Sequence, residues 1–172
     1  PAYKEESLCR PDYMQRLLSW KDQKVIKVIT GVRRSGKSVV LKDFCQELSK
    51  TASYEQISFL NFEMLENEDL LEYHVLHTFL KGKLLSDRMN YILLDEIQLV
   101  EKFEKVLDSL FVLPNVDIYI TGSNANLLSS ELATLLSGRY VELHVLPFSF
   151  REFKDGSSLT ILRSKRESDV EI

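Results

Sequence analysis

Val25–Ser38 reads VIKVITGVRRSGKS, and its two halves decide the fold. Val25 to Thr30 is a mostly β-branched run, the composition of a buried strand. It passes directly into Gly31-Val32-Arg33-Arg34-Ser35-Gly36-Lys37-Ser38, with glycine, glycine, lysine and serine at the spacing of a phosphate-binding loop. Val40, Leu41, Phe44, Cys45 and Leu48 then recur at helical spacing. Each residue type has a chemical reason to be there. The glycines let backbone N–H groups approach phosphate oxygens, and the helix adds its positive end. Lys37 reaches β- and γ-phosphates, and Ser38 offers a hydroxyl to Mg²⁺. The expected nucleotide contacts are Gly31, Val32, Arg33, Arg34, Ser35, Gly36, Lys37, Ser38 and Val39. Arg33 and Arg34 read either as partners of phosphate or a nearby acid, or as solvated side chains.

Outward from this unit the same alternation continues. Asp12–Trp20 reads as a short amphipathic helix after Pro11. Ile57–Phe62, Tyr91–Glu96, Asp117–Gly122 and Arg139–Leu146 read as further strands. Asn67, followed by Glu68 and Asp69, reads as a helix start, with Leu71, Val75, Phe79 and Leu80 on one face. Val100 to Leu110 gives another helix, stopped near Pro114, and Leu127 to Leu136 one more, ended near Gly138. Strand and helix alternating throughout predict a three-layer α/β/α domain on a parallel sheet.

Two further segments carry chemistry. Ile92, Leu93 and Leu94 deliver Asp95 and Glu96 to the C-terminal end of a strand, where parallel sheets bind ligands. Asp95 is expected in the shell of Mg²⁺, and Glu96 is the candidate that orients and polarises an attacking water. Asp95 and Glu96 read equally as ordinary acids at a helix start when taken without the phosphate loop. Thr121-Gly122-Ser123-Asn124 ends the next strand. Ser123 or Asn124 reads as a γ-phosphate sensor or as the cap of the Leu127 helix. Arg139 reads as an arginine finger, in cis or in trans, or as an ion-pair partner. The catalytic candidates are thus Lys37, Glu96, Ser123, Asn124 and Arg139, and the metal candidates Ser38 and Asp95. His74 and His77 stand three apart but lack a third ligand nearby, so they read as surface or half-buried histidines. Tyr13 and Trp20 are candidates for an adenine pocket, or core.

Composition excludes several classes. The 172 residues are 44% hydrophobic and 28% charged with 6 Gly and 4 Pro, so neither a disordered nor a collagen-like chain is indicated. Cys9 and Cys45 make no disulfide framework, with Cys45 read as a small core residue. No apolar run is long enough to span a bilayer and no leader is visible, so a cytoplasmic setting is expected. Net charge is −4, which gives no support for a generic nucleic-acid binder. The charge is uneven: residues 1–50 carry 11 Lys/Arg against 6 Asp/Glu, and residues 51–150 carry 6 against 15. That asymmetry reads either as the ordinary fluctuation of surface charge along a chain or as an anion site near the N-terminal end.

Residues 28–38, YILLDEIQ at 91–98, TGSN at 121–124 and GRYVELHVLPFSFREF at 138–153 together resemble the prokaryotic AAA-type P-loop ATPases. The resemblance is to the AAA_14 type, usually fused to a DUF4143 C-terminal domain. It implies sheet order 5-1-4-3-2, ATP rather than GTP, Mg²⁺ as cofactor, and coupling of nucleotide state to a protein partner or C-terminal effector domain. It also leaves homo-oligomers and action near DNA as expectations. The alternatives are a nucleotide-gated switch with little hydrolysis, or an ATPase accessory to a DNA-acting system. The domain reading is an ATPase core over 1–153, with a helical segment at 1–22, then a charged tail or truncated linker at 154–172. Family members continue well beyond the Phe-Arg-Glu-Phe segment, so a fragment or truncated member is expected.

Overall fold

The computed structural model describes residues 11–123, 127, 134 and 136–147. Five strands form one sheet: β1 (Ile26–Thr30), β2 (Ile57–Asn61), β3 (Asn90–Asp95), β4 (Val116–Gly122) and β5 (Tyr140–His144). All neighbours are parallel, and the order is β2-β3-β4-β1-β5. This is the expected 5-1-4-3-2 order read from the other edge. Parallel neighbours require crossovers, and α2 (Lys37–Leu48), α3 (Tyr73–Lys83) and α4 (Phe103–Phe111) lie in those between β1, β2, β3 and β4. The helix α1 (Pro11–Ser19), ahead of β1, packs with α2 on one face, and α3 and α4 cover the other.

The period-2 alternation of the strands sorts their side chains into two cores. Ile29, Leu93, Tyr119 and Leu143 face α2, where Val40, Leu41, Phe44 and Leu48 meet them, with Leu17 of α1 joining. Val28, Ile92, Leu94, Ile118 and Ile120 face the other way, onto Leu76 and Leu80 of α3 and Val106, Leu107 and Leu110 of α4. β1, β3 and β4 are buried along their whole length, as the near-continuous apolar runs predicted. Tyr13 and Trp20 pack partly buried against the α2-side core, and so does Cys45.

Two expectations change. Asn67 does not cap a helix. Leu65–Leu71 is a 3₁₀ segment, and α3 begins at Tyr73 with Glu72 as its cap, accepting from Val75 N–H at 2.9 Å. The buried face is accordingly Leu76 and Leu80, while Val75 is exposed. The acidic run 66–72 offers several residues able to start a helix, and packing of Leu76 and Leu80 onto the sheet selects the last of them. The Leu127–Leu136 helix, Asn124, residues 1–10 and residues 148–172, with the 154–172 tail among them, lie outside the described residues, apart from Leu127, Thr134 and Leu136.

At the bottom of the sheet, the N-terminal ends of the strands hold a buried ion pair. Lys27 and Asp117 are in direct contact and essentially without solvent exposure. Lys27 Nζ also donates to Gln23 O at 2.7 Å. Asp117 accepts from Asp22 N–H at 2.9 Å and from Tyr119 OH at 2.8 Å. Tyr91 OH donates to Asp22 at 2.8 Å, so the loop between α1 and β1 is tied to β3 and β4.

Candidate functional site

The opposite, C-terminal end of the sheet gathers the motif residues. β1 ends at Thr30, and Gly31 begins the loop directly beneath Val145. A Cβ on Gly31 would collide with Val145 O and stand 2.6 Å from Ser35 Oγ, so only glycine fits the turn. Arg34 and Gly36 take left-handed conformations (φ 66° and 98°) that wrap the loop into the start of α2. Gly36 is the N-cap of α2 and no side chain caps that end, which leaves its first N–H groups directed at the loop's interior. Val32, Arg33, Arg34 and Val39 are on the outside, exposed. Ser35 is fully buried, with its Oγ unpartnered.

Lys37 is buried at the base of the loop. Its Nζ donates to Val32 O at 3.2 Å and lies 3.8 Å from Glu96 Oε1. Ser38 Oγ donates to Asp95 Oδ1 at 3.0 Å. Asp95 ends β3 and is completely buried. Thr121, on β4 alongside, donates to the same Oδ1 at 2.5 Å and accepts from Glu96 N–H at 2.9 Å. Burial pushes the Asp95 carboxyl above the ordinary aspartate range; the Thr121 and Ser38 hydroxyls pull it down, and the neighbouring Glu96 charge pushes it up again. Asp95 Oδ2 has no partner.

The orphaned Oδ2, with the Ser38 hydroxyl bonded to the other oxygen of the same carboxylate, tests the site for a divalent cation. A buried, unpaired carboxylate oxygen beside a serine hydroxyl is a hard oxygen donor set, the kind Mg²⁺ takes. Ser38 and Asp95 therefore fit the ion.

Glu96 follows Asp95 in a left-handed conformation (φ 57°, ψ 48°), uncommon for a non-glycine residue. That turn sends its side chain toward Lys37 instead of along the strand. Its Oε2 accepts from Gln98 Nε2. Ser123 is half-buried just past the end of β4, which lies between β1 and β3, and its carbonyl accepts from Leu127 N–H at 2.9 Å. Asn124, the other sensor candidate, lies outside the described residues.

Arg139 is elsewhere. Its carbonyl accepts from Ile26 N–H, which places it at the start of β1, at the bottom of the sheet. Five strand residues separate that point from Gly31, about 16 Å at the usual rise. The guanidinium pairs with Asp108 at 2.9 Å and lies over Phe111. This is the ion-pair alternative, and a cis contact with the phosphate loop is excluded by position. His77 Nε2 and Ser109 Oγ are 2.8 Å apart, and among the described residues no group of three or more His, Cys, Asp or Glu could hold a metal. Thr121 and Gln98 escaped the sequence reading. Thr121 was visible only as a polar residue in a buried strand, because its contact with Asp95 depends on β3 and β4 being neighbours.

The profile of an AAA domain family, AAA_14, matches residues 23–154. The chain belongs to this AAA family. A Haemophilus influenzae protein described as uncharacterised is 46% identical over 169 residues, covering 95% of this chain and 42% of its own length. The AAA chain thus spans under half of that relative. Among solved structures, the Aeropyrum pernix ORC1 protein in complex with DNA superposes with TM-score 0.57 at 17% identity, covering 92% of this chain and 49% of that one. AMPPCP-bound DnaA from Aquifex aeolicus gives 0.53 at 15% identity, covering 94% and 51%. At those identities the likeness is one of fold: a P-loop AAA domain. No described helix is long and apolar enough to cross a membrane.

Proposed function

We propose that this AAA domain binds ATP with Mg²⁺ and hydrolyses it, coupling nucleotide state to a protein partner or a further domain. The observation that carries the reading is the meeting of Ser38, Asp95 and Glu96 with Lys37 beside an uncapped helix N-terminus. The loop N–H groups and Lys37 bind the phosphates. Ser38 and Asp95 would hold Mg²⁺, which when bound would supply positive charge to offset that of the phosphates. Glu96 accepts the proton of the attacking water, and Ser123 or Asn124 orients the γ-phosphate side. ATP is favoured over GTP because the chain carries no Asn/Thr-Lys-x-Asp guanine-reading motif. Arg139 is not part of this machinery in cis. Action on DNA has weaker support: the ORC1 neighbour was solved with DNA, but this chain carries a net charge of −4.

The test is turnover and affinity together. Glu96→Gln is expected to lower Mg²⁺-dependent ATP turnover by roughly 10²- to 10⁴-fold while ATP affinity persists. Equal turnover by wild type and variant sinks the catalytic role. Turnover at background in both, with an ATP-dependent change in oligomeric state, marks a switch instead.

A further inference from the structure

Gln98 lies in the 3₁₀ turn Ile97–Leu99 immediately after Glu96. The left-handed backbone at Glu96 folds this turn back, and the Gln98 amide donates from Nε2 to Glu96 Oε2. The other carboxylate oxygen, Oε1, faces Lys37 at 3.8 Å. The two oxygens of Glu96 are therefore distinguished: one is held by an amide, the other is turned to the phosphate loop. The Gln98 carbonyl oxygen is buried without a partner. It sits so close to Gly122 that a Cβ there would collide with it. Gly122 is the last residue of β4, level with Thr30 of β1, so the amide lies between Glu96 and the strand that leads to Ser123.

A side chain that merely filled this space would be apolar, since a buried amide oxygen without a donor is unfavourable. A lysine or arginine here would hold Glu96 but neutralise it. A neutral amide holds a carboxylate and leaves its charge in place. We propose that Gln98 is a positioning residue, whose amide fixes the rotamer of Glu96 so that one carboxylate oxygen stays turned toward the phosphate loop. Gly122 belongs to the same device, because it makes room for the amide. The proposal rests on the hydrolytic reading above, and its test separates the two.

Gln98→Leu keeps bulk and removes the donor; Gln98→Glu replaces attraction by repulsion. Both are expected to lower kcat roughly 10- to 100-fold, with KM and ATP affinity nearly unchanged. In a Glu96→Gln background the same substitutions are expected to have no further effect on turnover. Thermal unfolding of each variant shows whether it folds. The second readout needs no turnover: the Gln98 side-chain amide resonances of the nucleotide-free protein are expected to move in Glu96→Ala. Wild-type kcat in Gln98→Leu, an undiminished effect in the Glu96→Gln background, or amide resonances unmoved by Glu96→Ala each overturn the proposal. Absence of turnover in the wild type overturns the hydrolytic reading instead, and the amide resonances then decide the Gln98–Glu96 contact.

Discussion

Asp95 is where the proposed function opposes stability most directly. It is fully buried, one of its oxygens is unpartnered, and its carboxyl is held above the usual range by burial. An ionised group in that setting destabilises the nucleotide-free protein. Asp95→Asn keeps an oxygen to accept from Ser38 and Thr121 and removes the charge. It is expected to stabilise the nucleotide-free fold by about 1–2 kcal/mol while abolishing Mg²⁺-dependent nucleotide binding. The sign with pH follows. The folded carboxyl binds its proton more tightly than the unfolded one, so the penalty is present at neutral pH and lifts as pH falls through the raised folded value. Urea denaturation across acid pH is expected to show the advantage of Asp95→Asn shrinking as the wild-type carboxyl protonates. A constant advantage at every pH refutes this account.

At the level of elements, each end of the sheet has its own chemistry. The C-terminal ends of β1, β3 and β4 carry Gly31, Asp95 and Gly122, while their N-terminal ends carry Lys27, Tyr91 and Asp117. Lys27 pairs with Asp117 without water, and removing one partner strands a buried charge. Lys27→Met is expected to cost about 3–5 kcal/mol in chemical denaturation, and Lys27→Met with Asp117→Asn to recover part of that. Nucleotide affinity of the folded fraction is expected to stay unchanged in both, because the pair is at the far end from the loop. The strands themselves were legible, since β-branched and apolar runs such as Tyr91–Leu94 leave few other readings. The start of α3 was not: Asn67 and Glu72 are both competent caps, and the choice is made by which leucines reach the sheet. The Gln98–Glu96 contact was hidden for a related reason. It depends on a left-handed backbone at Glu96, which nothing in the local residue types announces.

For the molecule as a whole, the phosphate loop and the two acids were readable because their spacing is local and their residue types scarce. What brings them together is long-range: Ser38 and Asp95 are 57 positions apart, and Thr121 reaches Asp95 across 26. The strand order supplies that closeness, and the motifs named the strands but not the side-chain contacts between them. Removal of β5, by ending the chain after Leu136, is expected to abolish cooperative unfolding and ATP binding together, because β1 then becomes a sheet edge and Gly31 loses the cover of Val145. Retained ATP affinity in that shortened chain counts against the dependence.

β1 is the first strand among the described residues, yet its two neighbours are β4 and β5, with Lys27 beside Tyr119 and Val28 beside Glu142. On a ribosome, the strand that ends in the phosphate loop emerges well before both of its lateral partners, β4 and β5. At a usual elongation rate that interval is roughly 5 to 20 s. A nascent chain halted before β5 would hold every residue of the loop but lack the strand beside β1 and the Val145 cover over Gly31, so on the proposed reading its nucleotide seat is expected to form only once β5 has joined the sheet.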